Sequence, residues 1–121
     1  MAETSNKSNW TEIGNLAEFS DFQTGETIVL ELERNSGRKQ EILLVKISEK
    51  EFHALDNVCT HDDGPLDDGK VNLSACSIEC SRHGARFDIK SGKVIRMPAV
   101  QAIHTYPVKL ENNILYTLLP D

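Results

Sequence analysis

The chain has 121 residues, which is enough for one domain with a real core and too few for two independent domains. Hydrophobic residues make up 39% of the chain and charged residues 26%, a mixture typical of a folded globular protein rather than of a disordered one. The formal net charge of −6 argues against a nucleic-acid partner, because phosphate binding requires a positive surface.

The first ten residues, MAETSNKSNW, lack the hydrophobic segment of a signal peptide, and no apolar run approaches the roughly 18 residues that span a bilayer. Three cysteines, an odd number, do not suggest a disulfide framework. These features predict a cytoplasmic protein without membrane contact. Residues 1–9 are polar and aperiodic, so we expect a flexible N-terminal tail there and a single domain over residues 10–121.

Runs rich in β-branched and apolar residues follow in the first half of the chain. Residues 27–32 and 41–47 lie on either side of the turn-like sequence Asn35-Ser36-Gly37 and predict a hairpin. Residues 51–56 predict a third strand, which leads directly into the segment that contains Cys59. No convincing helix longer than about two turns is present, although residues 16–19 are ambiguous.

The second half of the chain repeats this pattern of short strands and turns. Pro107 removes a ladder donor from one of these runs, so we expect that part to lie at a sheet edge or a bulge. Many short strands with turns at close intervals predict an antiparallel all-β sandwich or barrel. The strands are predicted at residues 70–78, 85–89, 93–96, 103–110 and 114–118, with turns at Ser91-Gly92 and Asn112-Asn113.

Two cysteines and two histidines have metal-ligand spacing: Cys59-x-His61, eighteen intervening residues, then Cys80-x-x-His83. Such a set can hold one tetrahedral zinc ion, or an iron–sulfur cluster in which two histidines replace two cysteines on one iron. Common zinc ligand pairs are separated by two or more residues, so the Cys-x-His spacing favours the cluster. A zinc-stabilised binding module stays as the alternative.

The segments CTHDDGPL, residues 59–66, and CSRHGARFD, residues 80–88, resemble the Rieske 2Fe–2S cluster motif. The resemblance implies an antiparallel Rieske-type β-sandwich with a small cluster-binding subdomain of two loops, at about residues 57–98. It also implies that Cys59 and Cys80 bind the buried iron and that His61 and His83 bind the outer iron. Pro98 would belong to a third loop that covers the cluster.

The chain departs from the high-potential respiratory members of that family. Those members have a disulfide between the two loops, whereas this chain has Gly64 and Arg82 at the two cysteine positions. Those members also have a serine and a tyrosine that donate hydrogen bonds to the cluster, and this chain has Ala85 and Phe87 there. Fewer hydrogen bonds stabilise the reduced cluster less, which predicts a reduction potential at the low end of the Rieske range, roughly −150 mV. Cys76 is predicted to be a small apolar side chain rather than a ligand.

The resemblance implies a carrier of single electrons rather than an enzyme. The chain is similar to the small Rieske ferredoxins, which pass electrons from a flavin-containing NAD(P)H reductase to a terminal non-haem iron oxygenase in dioxygenase systems. No activated nucleophile or phosphate-binding glycine loop appears in the sequence. The alternative is a small Rieske subunit of a larger oxidoreductase, such as assimilatory nitrite reductase. His53 and His104 have no partner spacing and are expected to be ordinary strand residues.

Overall fold

A computed structural model describes residues 10–34, 36–59, 64–80, 84–97 and 101–119. Within these ranges the chain forms eleven strands, all paired antiparallel, and one single-turn 3₁₀ helix, Leu16–Phe19. The all-β prediction is therefore confirmed. In chain order the strands are β1 (Trp10–Asn15), β2 (Thr27–Glu33), β3 (Lys39–Ser48), β4 (Glu51–Asp56), β5 (Lys70–Asn72), β6 (Ser77–Glu79), β7 (Arg86–Asp88), β8 (Val94–Arg96), β9 (Thr105–Tyr106), β10 (Val108–Glu111) and β11 (Ile114–Leu118).

The strands form three sheets. The terminal sheet has the order β1-β11-β10, the central sheet β2-β3-β4-β9, and the loop sheet β5-β6-β7-β8. The segment that contains Cys59 follows the end of β4, and the segment that contains Cys80 connects β6 to β7 in the loop sheet. No helix in the described ranges has the length and apolar composition that crossing a bilayer requires.

Strand β3 is buried on both faces, which explains its uninterrupted apolar run. Ile42 and Leu44 belong to one core with Leu115 of the terminal sheet and with Leu119, which follows β11. The alternate residues of β3 point to the opposite face, as the two-residue period of a strand requires, and pack in a second core with the loop sheet. This second core, the cysteine core, comprises Leu43, Val45, Leu55, Cys59, Leu66, Ile78, Cys80, Ala85, Phe87, Ile89 and Ile103.

The prediction of one strand over residues 70–78 is wrong. The segment forms two short antiparallel strands, β5 and β6, joined by a tight turn. The side chain of Asn72 accepts hydrogen bonds from the Ala75 N–H at 3.1 Å and the Ser74 hydroxyl at 2.9 Å, and Cys76 takes a left-handed φ of 51°. Local side-chain bonds of this kind compete with a continuous ladder, and they divide the predicted strand.

Pro107 also divides a predicted strand. Residues before it form β9, which pairs with β4, and residues after it form β10, which pairs with β11 in a different sheet. The lost ladder donor is placed where the chain changes sheets, in agreement with the prediction of an edge or bulge. The predicted turn is formed by Asn112 and Asn113, with φ of 54° and 65°. Strand β1 was not predicted from the sequence.

Gly92 in the turn between β7 and β8 has no room for a side chain. Its φ is +76°, and a Cβ atom would lie 2.0 Å from the Ile103 carbonyl oxygen. The Ile103 N–H also donates to the Gly92 carbonyl at 2.8 Å, so the turn is held against the segment that precedes β9. A larger residue at this position must displace backbone rather than a flexible side chain.

Gly92→Ala is therefore expected to lower the free energy of unfolding by at least about 3 kcal/mol, which corresponds to about 10 °C in the unfolding midpoint. Thermal unfolding followed by far-ultraviolet circular dichroism measures the change. Gly37→Ala is the matched control, because Gly37 has φ +90° but a Cβ atom added there would meet no other atom within 4 Å. Equal losses for the two variants would show that the contact with Ile103 contributes nothing.

Candidate metal centre

The two cysteine loops close in the same way. In the first cysteine loop, residues 59–64, the Cys59 N–H donates to the Gly64 carbonyl at 2.6 Å. In the second cysteine loop, residues 80–85, the Cys80 N–H donates to the Ala85 carbonyl at 2.7 Å. Each cysteine thus bonds the residue five positions later, and the sequence places one predicted histidine inside each closed segment.

Strand geometry supports the second loop. It connects β6 to β7, and the two strands pair directly beneath it, with Glu79 opposite Arg86 and Ile78 opposite Phe87. Gly84 has φ +76° and donates its N–H to the Cys80 carbonyl at 3.0 Å. Glycine adopts this left-handed conformation without steric cost, which explains its position directly after His83.

Both predicted cysteine ligands are buried in the cysteine core. Cys59 is 0% exposed and Cys80 is 1% exposed. All three cysteines lie within the described residues, and none of them forms a disulfide. Burying a thiolate in apolar surroundings is costly unless a positive charge compensates it, and a ferric or ferrous ion bound by both sulfurs provides that charge. The donor set on this side therefore fits the buried iron of a cluster.

His61 and His83 lie outside the described residues, as do Arg82 and Pro98. Among the residues that the structure describes, no group of three or more histidine, cysteine or acidic side chains is arranged to hold a metal. The structure thus gives the positions of the two cysteines, and the assignment of all four residues as ligands stays a prediction.

Cys76 packs against the cysteine core, and that it is not a ligand stays a prediction. Its side chain is half-buried, and its carbonyl accepts the Ile89 N–H at 2.9 Å. Burial raises the pKa of the Cys76 thiol above its usual value. The group is therefore a protonated thiol at neutral pH, which is a weak ligand and a weak nucleophile.

Cys76→Ser is expected to keep the full iron content and an unchanged visible spectrum, with a small loss of stability from the poorer apolar packing. Iron and acid-labile sulfide assays on the purified variant check this. A variant that loses its iron while its circular dichroism spectrum stays native would instead assign Cys76 to the centre.

The strand that leads into the first loop is fixed by a polar network at its end. The Tyr106 hydroxyl donates to the Asp56 carboxylate at 2.5 Å, and the Gln40 amide donates to the same oxygen at 2.6 Å. Burial, together with the bond to Asp56, raises the pKa of Tyr106 to about 12. The hydroxyl is therefore neutral and keeps its donor hydrogen at physiological pH, so Asp56 stays held three residues before Cys59.

His53 has a role in the scaffold. Its Nε2 atom lies 2.8 Å from the Glu51 carboxylate, and the Lys90 ammonium lies 3.8 Å from the same oxygen. The hydrogen bond from His53 lowers the pKa of Glu51. His104 uses its carbonyl to accept the Asp56 N–H at 3.0 Å. His53 is a strand residue of β4, as expected, whereas His104 lies just before β9 and not in a strand.

Asn57 is a site residue that the sequence analysis missed. It is one of the few buried polar residues in the described ranges, with 6% exposure. Its side-chain oxygen accepts the Leu66 N–H at 2.9 Å, and its amide nitrogen donates to Glu41 and Asp67, each at 3.2 Å. An asparagine between a strand end and a loop is a recognisable signal, since its side chain often bonds nearby backbone.

Residues 9–107 match the family model of the Rieske [2Fe-2S] domain. The chain belongs to this family. As a Rieske domain it carries one Rieske-type 2Fe–2S cluster, which settles the choice between a cluster and zinc that the ligand spacing left open. The predicted antiparallel Rieske fold is likewise confirmed.

Two curated relatives and one solved structure are named as ferredoxins or ferredoxin components. The ferredoxin component of a naphthalene 1,2-dioxygenase system from Pseudomonas putida is 44% identical over 73 residues, 60% of this chain and 67% of that protein. The corresponding component of a 2,4-dinitrotoluene dioxygenase system from Burkholderia sp. (strain RASC) is 41% identical over 80 residues, 66% and 74% of the two chains. The Sphingomonas yanoikuyae B1 ferredoxin has a TM-score of 0.75 at 28% identity, covering 93% of this chain and all of that one.

Proposed function

We propose that this Rieske domain is a one-electron carrier of the ferredoxin type, working in the cytoplasm. It accepts electrons from a flavin-containing NAD(P)H reductase and delivers them to a terminal non-haem iron oxygenase. The observation that carries the proposal is the pair of buried cysteines in two equivalently closed loops of a Rieske domain. The relatives named above are ferredoxin components of dioxygenase systems, which supports an oxygenase as the acceptor.

We also propose the ligand set Cys59, His61, Cys80 and His83. The burial of both cysteines supports their assignment to the inner iron, and each histidine follows its cysteine within a loop of six residues. When bound, the cluster accepts and releases one electron without a change in its ligands. The protein's part is to hold the two loops at a fixed separation and to exclude water from the cysteine side with apolar side chains such as Leu66 and Phe87.

Anaerobic mixing tests the carrier function. The protein is reduced with dithionite, freed of excess reductant and mixed in a stopped-flow instrument with the oxidised terminal oxygenase of a naphthalene dioxygenase system. The expected result is re-oxidation of the protein with a matching reduction of the oxygenase, one electron for each chain. Two negative results together would contradict the proposal: the reduced protein is not re-oxidised by the oxygenase, and the oxidised protein is not reduced by the reductase of the same dioxygenase system.

The second hypothesis, a small subunit of a larger oxidoreductase, predicts a different hydrodynamic behaviour. A carrier elutes from a size-exclusion column by itself, close to the 13.5 kDa of the chain, and stays folded without a partner. A subunit requires its large partner to remain soluble. The relatives are named as ferredoxin components, and this favours the carrier.

A further inference from the structure

The two cysteine loops differ in what lies beneath their closing hydrogen bond. Below the second loop, Ile78 and Phe87 are direct partners in the β6–β7 ladder. Ile78 lies two positions before Cys80, and Phe87 lies two positions after Ala85. The corresponding residues of the first loop are Asn57, two positions before Cys59, and Leu66, two positions after Gly64. Residues 64–69 form no strand, so no backbone ladder is available there.

The side chain of Asn57 takes the place of the missing strand. Its Oδ1 atom accepts the Leu66 N–H at 2.9 Å, at the position where a backbone carbonyl would accept it in a paired strand. Leu66 and Phe87 then occupy equivalent places, and both are fully buried in the cysteine core. Each loop is therefore closed by two successive hydrogen-bonded pairs. The second pair is formed by backbone below the second loop and by the Asn57 side chain below the first.

The rest of the Asn57 amide anchors this closure to the central sheet. Both hydrogens of the amide nitrogen have acceptors, Glu41 on β3 and Asp67 just after Leu66. A buried amide with every donor used has one favourable orientation, since rotation would leave buried polar atoms unpaired. The first loop is thus tied to a rigid strand at its entry and at its exit.

We propose that Asn57 is the positioning residue of the first cysteine loop and that its side chain sets the placement of Cys59 toward the cluster. The inference rests on the ligand set proposed above. Asn57 does not touch the cluster in this scheme. It acts through the Leu66 N–H and through the bonds to Glu41 and Asp67, so its loss changes the electronic environment of the iron without removing a ligand.

Asn57→Gln and Asn57→Leu test the inference on the complete, cluster-loaded protein. Glutamine keeps both functional groups but extends them by one methylene, and leucine of similar size removes them. Both variants are expected to exchange the Leu66 amide hydrogen about tenfold faster, because one hydrogen bond no longer opposes local opening. Mass spectrometry on a peptide covering residues 60–69 measures the exchange. The Phe87 amide, closed by backbone alone, is expected to exchange at the wild-type rate.

The same variants are expected to shift the electron paramagnetic resonance g values and the midpoint potential of the reduced protein away from those of the wild type. Asn72→Leu is the matched control, since Asn72 also accepts a loop N–H, that of Ala75, but in the β5–β6 turn. The control should change neither property.

Wild-type spectra in both Asn57 variants, or wild-type Leu66 exchange in both, would overturn the inference. Equal acceleration at Leu66 and Phe87 would also overturn it, because that result indicates general destabilisation. Should the leucine variant fail to fold, the glutamine variant decides. A wild-type protein without any cluster would instead refute the proposed function, while the exchange experiment would still decide whether Asn57 closes the loop.

Discussion

Replacement of any one of Cys59, His61, Cys80 or His83 is expected to abolish the cluster. Cys59→Ser and Cys80→Ser each remove a soft sulfur ligand from a fully buried position, where no solvent molecule can take its place. His61→Asn and His83→Asn remove the imidazoles that the resemblance assigns to the outer iron. Iron and acid-labile sulfide in each purified variant are expected to fall below roughly a tenth of the wild-type content, because cluster binding needs every ligand.

The chain supplies controls of both residue types. His53→Asn and His104→Asn alter histidines that the structure places on the scaffold, and Cys76→Ser alters the third cysteine. These three variants are expected to keep the wild-type iron content. Full iron content in a His61 or His83 variant, or loss of iron in a His53 or His104 variant, would overturn the ligand assignment.

The midpoint potential of the protein is expected near −150 mV, at the low end of the Rieske range. Ala85 and Phe87 are buried in the cysteine core with Cys80, and neither has a hydroxyl that could donate to the cluster. Asn57, the buried amide nearest in sequence to Cys59, has both amide hydrogens bonded to carboxylates. None of these three described side chains therefore stabilises the extra negative charge of the reduced state. A redox titration followed by absorbance measures the potential.

Ala85→Ser and Phe87→Tyr restore the hydroxyls at the two positions where high-potential members have them. Each is expected to raise the potential by roughly 50 mV, because a hydrogen bond to a charged group contributes about 1.5–3 kcal/mol and only part of it differs between redox states. Ile89→Val is a control that changes buried volume in the same core without a polar group. A clearly positive wild-type potential, or hydroxyl variants no different from the control, would contradict the explanation.

Four strands of the central and terminal sheets could be predicted from local sequence. Alternating and apolar runs identified β2, β3, β4 and β11 within one or two residues, because each run is long enough to show a period. The segment over residues 70–78 was not predictable in this way. Its division depends on the Asn72 side chain and on a left-handed Cys76, which are features of one turn rather than of a periodic pattern.

The ligand candidates could be read from the sequence because Cys-x-His and Cys-x-x-His spacings occur together. The supporting residues could not, since their partners are distant along the chain. Asn57 bonds Glu41, and Asp56 bonds Tyr106, over separations of 16 and 50 residues. Only the folded arrangement of β3, β4 and β9 brings these groups to the base of the first loop.

Electron paramagnetic resonance of the dithionite-reduced protein tests most directly whether nitrogen and sulfur ligands share a two-iron cluster. The expected result is a rhombic signal with an average g value clearly below that of all-cysteine ferredoxins, together with about two iron and two sulfide atoms per chain. A colourless protein with one zinc ion and no signal, or a signal of the all-cysteine type, would contradict the assignment.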